Sequence, residues 1–232
     1  MPGPIIEMKD VYKIYTAGAV QVHALRGLTL SITPGEFTAV CGPSGSGKTT
    51  VLNLAGALDA PSAGTILVEG RDLARLSRTA QARLRLERLG FIFQAYNLIP
   101  VLTAFENAEF VLMLQGVPAP ERRRRVTAIL EEVGLAGMMD RRPSELSGGQ
   151  QQRVAIARAV VAEPALVLAD EPTANIDSKT ADGLLELMQR LNAERGVTFL
   201  FSTHDQRVMG RARRLVTLRD GEIVDDKKNG AA

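Results

Sequence analysis

The chain has 232 residues, of which 45% are hydrophobic and 23% are charged, and its formal net charge at pH 7 is +2. This length and composition are typical of one globular domain, or of a domain with an inserted subdomain. The near-neutral charge argues against a globally basic nucleic-acid-binding protein, and the single cysteine excludes an internal disulfide framework.

Hydrophobic segments in this sequence are short. The longest apolar runs, at 110–114 and 165–169, fall far below the roughly 20 residues that a membrane-spanning helix requires. The N-terminal residues also lack the basic and apolar regions of a secretory signal. We therefore expect no direct membrane span, and any work at a membrane would require a partner protein.

Apolar segments rich in β-branched residues alternate with helical segments, which predicts an α/β domain with a mainly parallel sheet. An Asp-Gly turn at 220–221 also predicts a closing hairpin. In chain order, the expected strands are Ile5–Lys9, Leu28–Ile32, Phe37–Cys41, Thr65–Glu69, Phe91–Phe93, Leu166–Ala169, Thr198–Phe201, Arg214–Arg219 and Glu222–Val224. The last eight residues are expected to be frayed.

The region 95–162 has a different, helical pattern. Thr103 and Glu106 form a capping box that opens one helix, and a second helix is expected at Glu121–Val133. The Arg-rich run at 121–125 is interpreted as a solvated helix face rather than a nucleic-acid-binding patch. We thus expect a helical insertion at 95–162 in a core formed by 1–94 and 163–232.

A complete G-x-x-x-x-G-K-[ST] motif follows the expected strand Phe37–Cys41, and a helix is expected from Thr49 to Ala57. In such a loop the backbone N–H groups surround phosphates, Lys48 reaches the β- and γ-phosphate oxygens, and the Thr49 hydroxyl can bind Mg²⁺. The residues assigned to nucleotide binding are Gly42, Pro43, Ser44, Gly45, Ser46, Gly47, Lys48, Thr49 and Thr50. The motif predicts a nucleoside triphosphate site.

Polar side chains follow three other expected strands. Asp170 and Glu171 come after Leu166–Ala169, Gln94 follows the strand near 91, and His204 follows the strand near 198. The carboxyl ends of parallel strands form the ligand-binding edge of an open α/β sheet. Beside a phosphate-binding loop, Asp170 is expected to hold magnesium and Glu171 to orient and polarise the attacking water.

A second candidate phosphate site lies about a hundred residues after the first. Ser147, Gly148, Gly149 and Gln150 precede an apolar helical segment, and helix N-termini bind anions. One nucleotide has a single γ-phosphate, so either the insertion folds back over its own site or two chains exchange these motifs. The second arrangement is a two-fold dimer with ATP at its interface.

These residues resemble the ATP-binding subunits of ABC transporters over essentially the whole chain. GPSGSGKT (42–49) and LVLADEP (166–172) are similar to the Walker A and Walker B motifs, and LSGGQ (146–150) to the family signature. The resemblance implies a P-loop NTPase, RecA-like core with an antiparallel β subdomain and an inserted α-helical subdomain.

The same resemblance implies roles for further residues. Gln94 matches the family's Q-loop, which binds magnesium and water, and His204 matches the switch histidine at the γ-phosphate. Tyr15 lies where the family places an adenine-stacking aromatic, although from its position alone packing on the β subdomain is equally compatible. Asp177 falls in a dimer-contact loop whose preceding residue is Ile176 instead of the usual Leu.

A narrower resemblance is to the lipoprotein-release, macrolide-efflux and cell-division branch of the family. It depends on the stretches 15–30, 52–66, 91–108 and 168–180. It implies a homodimeric ATPase at the cytoplasmic face of the inner membrane, with ATP and Mg²⁺, that drives separate permease subunits for export or lipoprotein release. A non-transporting signalling complex is the alternative, and a soluble ABC ATPase fits less well.

Cys41 directly precedes the phosphate-binding loop. The position suggests either a small buried strand residue or a thiol whose modification would block nucleotide binding, and burial is the expectation. The sequence does not identify a transported substrate, because substrate contacts are expected in the membrane subunits.

Overall fold

The computed structural model describes residues 3–18 and 20–229 as two β-sheets packed with seven α-helices. Two further short 3₁₀ turns lie at Leu73–Arg75 and Pro143–Glu145. In chain order, the elements are β1 (Ile6–Ala17), β2 (Val20–Ile32), β3 (Phe37–Cys41), α1 (Lys48–Ala55), β4 (Ala63–Val68), β5 (Arg71–Asp72), α2 (Arg78–Arg88), β6 (Leu89–Ile92), α3 (Ala104–Leu114), α4 (Ala119–Glu132), α5 (Gly148–Val160), β7 (Leu166–Asp170), α6 (Ser178–Arg195), β8 (Phe199–Thr203), α7 (Gln206–Arg211), β9 (Arg214–Arg219) and β10 (Glu222–Lys228).

The larger sheet has six strands in the order β10-β9-β3-β8-β7-β6, and all neighbours are parallel except the β9–β10 hairpin. Strands β3 and β8 lie at its centre and are buried along their whole length. Strands that are covered on both faces are nearly continuous apolar runs, and β3 and β8 are interrupted only by Thr and Ser residues. The sheet aligns the carboxyl ends of β3, β6, β7 and β8 along one edge.

A smaller antiparallel sheet has the strand order β2-β1-β4-β5. Its apolar face joins α1 and one face of the larger sheet in a single hydrophobic core that includes Val40, Val51 and Leu200. On the opposite face, a second core contains the Phe37, Phe199 and Phe201 rings together with residues of α3 to α6. Between residues 95 and 162, the regular elements are helices, and the predicted Thr103–Glu106 capping box is present.

The structure corrects some expected boundaries. Strand β1 extends to Ala17 and includes Tyr15, which the sequence pattern placed beyond the first strand. The alternation is hidden because Asp10 has a left-handed φ of 51° and the β1–β2 register shifts between Met8 and Lys13 and again before Ile14. Strand β6 ends at Ile92, so the strand predicted at Phe91–Phe93 begins and ends earlier.

The chain's C-terminal segment is also more ordered than predicted. Residues 225–228, expected to be frayed, continue β10 as an edge strand paired with β9. The segment looked like a tail because all four of its residues, DDKK, are charged and most of them face solvent on the edge of the sheet. Arg214 holds it in place, since its guanidinium makes two hydrogen bonds to the Asp226 carboxylate. The remainder of the predicted frayed tail, 230–232, lies outside the described residues.

Candidate functional site

The loop after β3 is shaped by glycines in tight contact with neighbouring strands. Gly42 has a φ of 150°, and a Cβ there would lie 2.1 Å from the backbone oxygen of Leu218. Gly47 has a φ of 104°, and its Cβ would lie 2.5 Å from the backbone oxygen of Ala24. Larger residues would therefore push the loop away from its supports. The two glycines thus allow the backbone of the loop to curve closely in front of α1.

Lys48 closes this loop from inside. Its Nζ donates hydrogen bonds to the backbone oxygens of Gly42 and Pro43, each at 2.9 Å. The hydroxyl of Ser46 is buried in the same loop and has no hydrogen-bond partner among the described residues. A buried unpaired hydroxyl is costly without a ligand or water. Lys48 also lines the cleft beside the loop, so its ammonium group is available to an anion there.

Side-chain oxygens of three residues lie close together beside the loop, where α1 begins and β7 ends. The Thr49 hydroxyl lies 3.2 Å from Oδ1 of Asp170, and the Ser202 hydroxyl donates to the same carboxylate oxygen. A hydroxyl and a carboxylate are hard oxygen donors of the kind that Mg²⁺ prefers. Within the described ranges no group of three or more His, Cys, Asp or Glu side chains could hold a metal ion. In nucleotide sites Mg²⁺ is usually held by one or two protein carboxylates together with substrate phosphates and waters.

Glu171 and His204 form a pair at the ends of β7 and β8. Nδ1 of His204 lies 2.7 Å from Oε1 of Glu171, and the Thr203 hydroxyl lies 3.4 Å from Oε2. Glu171 has a left-handed φ of 44°, which is uncommon for a residue with a side chain. Such strain concentrates at functional sites. The His204 side chain is largely exposed, whereas that of Glu171 is mostly covered.

These groups line one cleft of about 680 Å³, a size suited to a small-molecule ligand. The cleft brings together most of the residues that the sequence nominated: Tyr15, Ser44, Gly45, Gly47, Lys48, Thr49, Thr50, Gln94, Glu171 and His204. Val22 and Ala24 add apolar surface beside Tyr15. The loop residues Gly42, Pro43 and Ser46 adjoin the cleft through Lys48 and α1, and Asp170 adjoins it through Thr49.

The second motif lies elsewhere. Ser147 caps α5: its hydroxyl accepts from the Gln150 N–H, while the Gln150 side chain accepts from the Ser147 N–H. Ser147, Gly149 and Gln150 line a separate cleft of about 420 Å³ with Arg153 and Lys179. The chain therefore does not bring its second motif to its own phosphate-binding loop.

The glycine pair of this motif also has a packing role. A Cβ on Gly149 would lie 2.3 Å from Cγ2 of Thr180 on α6, and one on Gly148 would lie 2.8 Å from the Tyr96 hydroxyl. Either substitution would disturb contacts within the chain. Loss of activity after mutating these glycines would not by itself demonstrate phosphate binding, so Ser147 is the better probe of this motif.

Comparison with known proteins identifies the family. The family model described as ABC transporter matches residues 25–174. The chain is 47% identical, over 98% of its length, to the lipoprotein-releasing system ATP-binding protein LolD of Anaeromyxobacter dehalogenans, and covers 97% of that protein. It is 44% identical over its whole length to the macrolide export ATP-binding/permease protein MacB of Hyphomonas neptunium.

The chain belongs to the ABC transporter family. It is similar to the dimeric, ADP- and phosphate-bound cassette MJ0796, with a TM-score of 0.89 and 40% identity, covering 97% of this chain and all of that one. This agreement confirms the predicted P-loop NTPase fold, and as an ABC cassette the chain is an ATP-binding ATPase subunit. It spans nearly all of the LolD relative but 36% of the MacB relative, which also carries a permease.

Several contacts around the cleft that contains Lys48 were not predicted from the sequence. Ser202 holds Asp170, and the Asn175 side chain donates to the backbone oxygen of Gln94 at 3.0 Å. Asp59 accepts a hydrogen bond from the Tyr15 hydroxyl at 3.0 Å. The sequence could have indicated Ser202, because this residue directly precedes Thr203 and His204 at the end of a predicted strand. Asn175 and Asp59 lie in loops, where spacing along the chain does not predict contacts.

Proposed function

We propose that two copies of this chain close head to tail around two ATP molecules, and that neither copy holds a complete active site alone. The observation that carries the proposal is the separation of Ser147 from the cleft that contains Lys48. In an isologous dimer, Ser147 of one copy faces the γ-phosphate held by the other. The similarity to a cassette described as dimeric supports this arrangement.

Hydrolysis in the closed dimer uses Glu171 as general base. Glu171 takes a proton from water while the water oxygen attacks the γ-phosphorus, and the bond to the bridging β-phosphate oxygen breaks. Lys48 and His204 stabilise the charge that spreads over the γ-phosphoryl oxygens. The Ser147 hydroxyl and the α5 N-terminus, with Gly148, Gly149 and Gln150, complete the site from the opposite copy.

Magnesium fits the donor set of this cleft. Thr49 and Asp170 would hold it, with Gln94 at the rim, and it would neutralise charge on the β- and γ-phosphates. The carboxylate and hydroxyl already lie in hydrogen-bond contact, so little rearrangement is required to bind a cation between them. At the other end of the cleft, the Tyr15 ring would stack on adenine.

The helical unit at 95–162 would couple this ATPase to a permease, with 1–94 and 163–232 acting as the catalytic core. An apolar groove of about 380 Å³ runs beside the Gln94 loop, between α2, β6, α3 and α5. Its lining includes Leu58 and Leu114, whose side chains are half exposed. A cytoplasmic helix of a permease subunit is the occupant that we propose, since the MacB relative carries ATP-binding and permease parts in one chain.

Transport for export or lipoprotein release follows from the resemblance to LolD and MacB proteins. Among the residues that the structure describes, no helix is long and apolar enough to cross a membrane. From the resemblance to LolD and MacB proteins we infer a peripheral position on the cytoplasmic face of the membrane, held by the permease. Leu114→Glu should release the chain from the membrane fraction of its native cells without changing its basal ATPase rate; a membrane-bound Leu114→Glu protein would contradict the docking role of the groove.

The dimer is tested with Glu171→Gln, which binds ATP but lacks the base. Its mass by light scattering should double when saturating Mg-ATP is added, and should return to the monomer mass with Mg-ADP. A Glu171→Gln protein that remains monomeric at saturating Mg-ATP would contradict the proposed clamp.

A further inference from the structure

Tyr15 lies in a polar contact network that the family resemblance did not suggest. Its hydroxyl donates to Oδ2 of Asp59 at 3.0 Å, and Nζ of Lys13 donates to Oδ1 of the same carboxylate at 2.6 Å. The Lys13 ammonium also lies 4.8 Å from the centre of the Tyr15 ring, within the range of a cation–π interaction. Three side chains thus contact one another pairwise.

The network is anchored to the loop that follows α1. Nζ of Lys13 donates to the backbone oxygen of Ala60 at 2.8 Å, and the N–H of Ala60 donates to Oδ1 of Asp59 at 2.7 Å. The Lys13 side chain is 12% exposed and that of Asp59 is 31% exposed. A partly covered ion pair with several hydrogen bonds is screened less by solvent than a fully exposed surface pair.

The environment of Asp59 favours the charged form of its carboxyl group. Burial alone would raise the pKa of Asp59, but hydrogen bonds from Lys13, Ala60 and Tyr15 outweigh it and lower the pKa below its ordinary value. The carboxylate is therefore charged at neutral pH and accepts from all three donors.

The Tyr15 side chain is partly exposed to solvent. It lies close to the free end of the β1–β2 hairpin, just after a register shift between Lys13 and Ile14, and it is 40% exposed. An exposed aromatic side chain that must adopt one rotamer to stack on a base loses conformational freedom on binding. Contacts that fix the rotamer beforehand reduce that loss and increase affinity.

We propose that Asp59 and Lys13 are positioning residues that hold the Tyr15 ring in the orientation required for stacking on the nucleotide base. The inference rests on the proposed stacking role of Tyr15 and extends it to residues outside the recognised motifs. Asp59 and Lys13 do not line the cleft, so they act on the nucleotide through Tyr15. Hydrolysis occurs at the other end of the cleft, so the chemical step should not depend on them.

The test is a double-mutant cycle on the full chain, with KM for ATP and kcat measured for Asp59→Ala, Tyr15→Ala and the double variant. Asp59→Ala should raise KM on the order of threefold to tenfold with kcat unchanged. Tyr15→Ala should raise KM further, and adding Asp59→Ala to it should have no additional effect. Tyr15→Phe, which retains the ring but loses the hydrogen bond, should raise KM no more than Asp59→Ala does.

Glu7→Ala is the matched control, because it removes another ion pair on β1, with Lys9, and should leave KM unchanged. Asp59→Ala raising KM equally in the Tyr15→Ala background would overturn the proposal, since the effect would then come from the fold of the loop. An unchanged KM in Asp59→Ala beside a raised KM in Tyr15→Ala would also overturn it, while leaving the stacking role intact. An unchanged KM in Tyr15→Ala would contradict the stacking role itself, and the positioning role with it.

Discussion

Nδ1 of His204 lies 2.7 Å from Oε1 of Glu171, so the proposed general base and the proposed γ-phosphate ligand contact each other directly. Their separation in sequence is 33 residues, but both follow adjacent parallel strands. Since Nδ1 faces Glu171, the other ring nitrogen is available to face the cleft. One imidazole can thus orient the base and contact the phosphate.

This arrangement predicts the effect of His204→Ala. The rate constant kcat should fall on the order of a hundredfold, with KM for ATP changed little, because acid–base and orienting groups act mainly in the transition state. If His204 acts by orienting Glu171, the Glu171→Gln/His204→Ala double variant should be no slower than Glu171→Gln alone. Steady-state phosphate release measures both; an additional large loss in the double variant would show an independent role for His204.

Thr49 gives a prediction about magnesium. Thr49→Val retains the shape of the side chain but removes the hydroxyl that lies 3.2 Å from Asp170, whereas Thr49→Ser retains the hydroxyl. Thr49→Val should weaken nucleotide binding on the order of tenfold or more in the presence of Mg²⁺ and leave it unchanged in EDTA. Titration with a fluorescent ATP analogue measures both conditions. Equal weakening in EDTA would exclude a magnesium-specific role.

Ser147 can be tested without disturbing α5. Asn and Asp are both good N-cap residues, so Ser147→Asn and Ser147→Asp should each keep the free energy of unfolding within about 0.5 kcal/mol of wild type. Ser147→Asp places a negative charge opposite the partner's γ-phosphate and should abolish the ATP-dependent dimer, whereas Ser147→Asn should retain it in part. Light scattering with Mg-ATP distinguishes them. Equal dimerisation of the two variants would contradict a phosphate contact at Ser147.

Arg214 joins the two sheets and provides a stability prediction. It bonds to Asp226 on β10, to Glu36 and to the backbone oxygen of Ser31 on β2, and its side chain is largely buried. Arg214→Met retains the apolar stem but leaves the partly buried Glu36 carboxylate and the exposed Asp226 carboxylate without their partner, so the free energy of unfolding at neutral pH should fall by about 1–3 kcal/mol. Urea unfolding followed by circular dichroism measures the difference.

The same ion pair predicts a pH dependence. Hydrogen bonds from Arg214 lower the pKa of Asp226 below its ordinary value, against the opposing effect of partial burial. A lowered pKa means that the unfolded chain takes up the proton first, so the stabilisation is present above about pH 4 and is lost as the pH falls. The difference in free energy of unfolding between wild type and Arg214→Met should therefore narrow as the pH falls below about 4. A difference in free energy of unfolding that does not change with pH would contradict the role of the Arg214–Asp226 ion pair.

Much of the fold could be predicted because the central strands are buried on both faces. Strand β3 was predicted with its observed bounds, since its five residues are apolar except for Thr38 and are followed by Gly42. Strand β1 was predicted too short, because its bulges break the alternation that marks a half-exposed strand. The C-terminal edge strand was predicted only over Glu222–Val224. Its continuation over 225–228 was missed because it is held by hydrogen bonds from Arg214, a residue in another strand.

The parts of the candidate site that one contiguous stretch of backbone forms could be predicted from the sequence. The loop 42–49 is contiguous, and its glycines are required by close contacts to Leu218 and Ala24. Asp59 is different: its contact to Tyr15 joins residues 44 positions apart, and nothing in its local sequence indicates it. The packing role of Gly149 against Thr180 was likewise hidden, because it depends on how α5 crosses α6.

Mixing two inactive variants tests the shared-site account most directly. His204→Ala damages the pocket of the chain that carries it, whereas Ser147→Asp damages the pocket of its partner. In an equimolar mixture each heterodimer then has one intact pocket whose ATP can close the pair. ATPase activity should therefore rise well above the average of the two separate variants, up to about a quarter of the wild-type rate if half of the dimers are mixed. A mixture no more active than the average of the two separate variants would show that each chain hydrolyses ATP with its own residues alone.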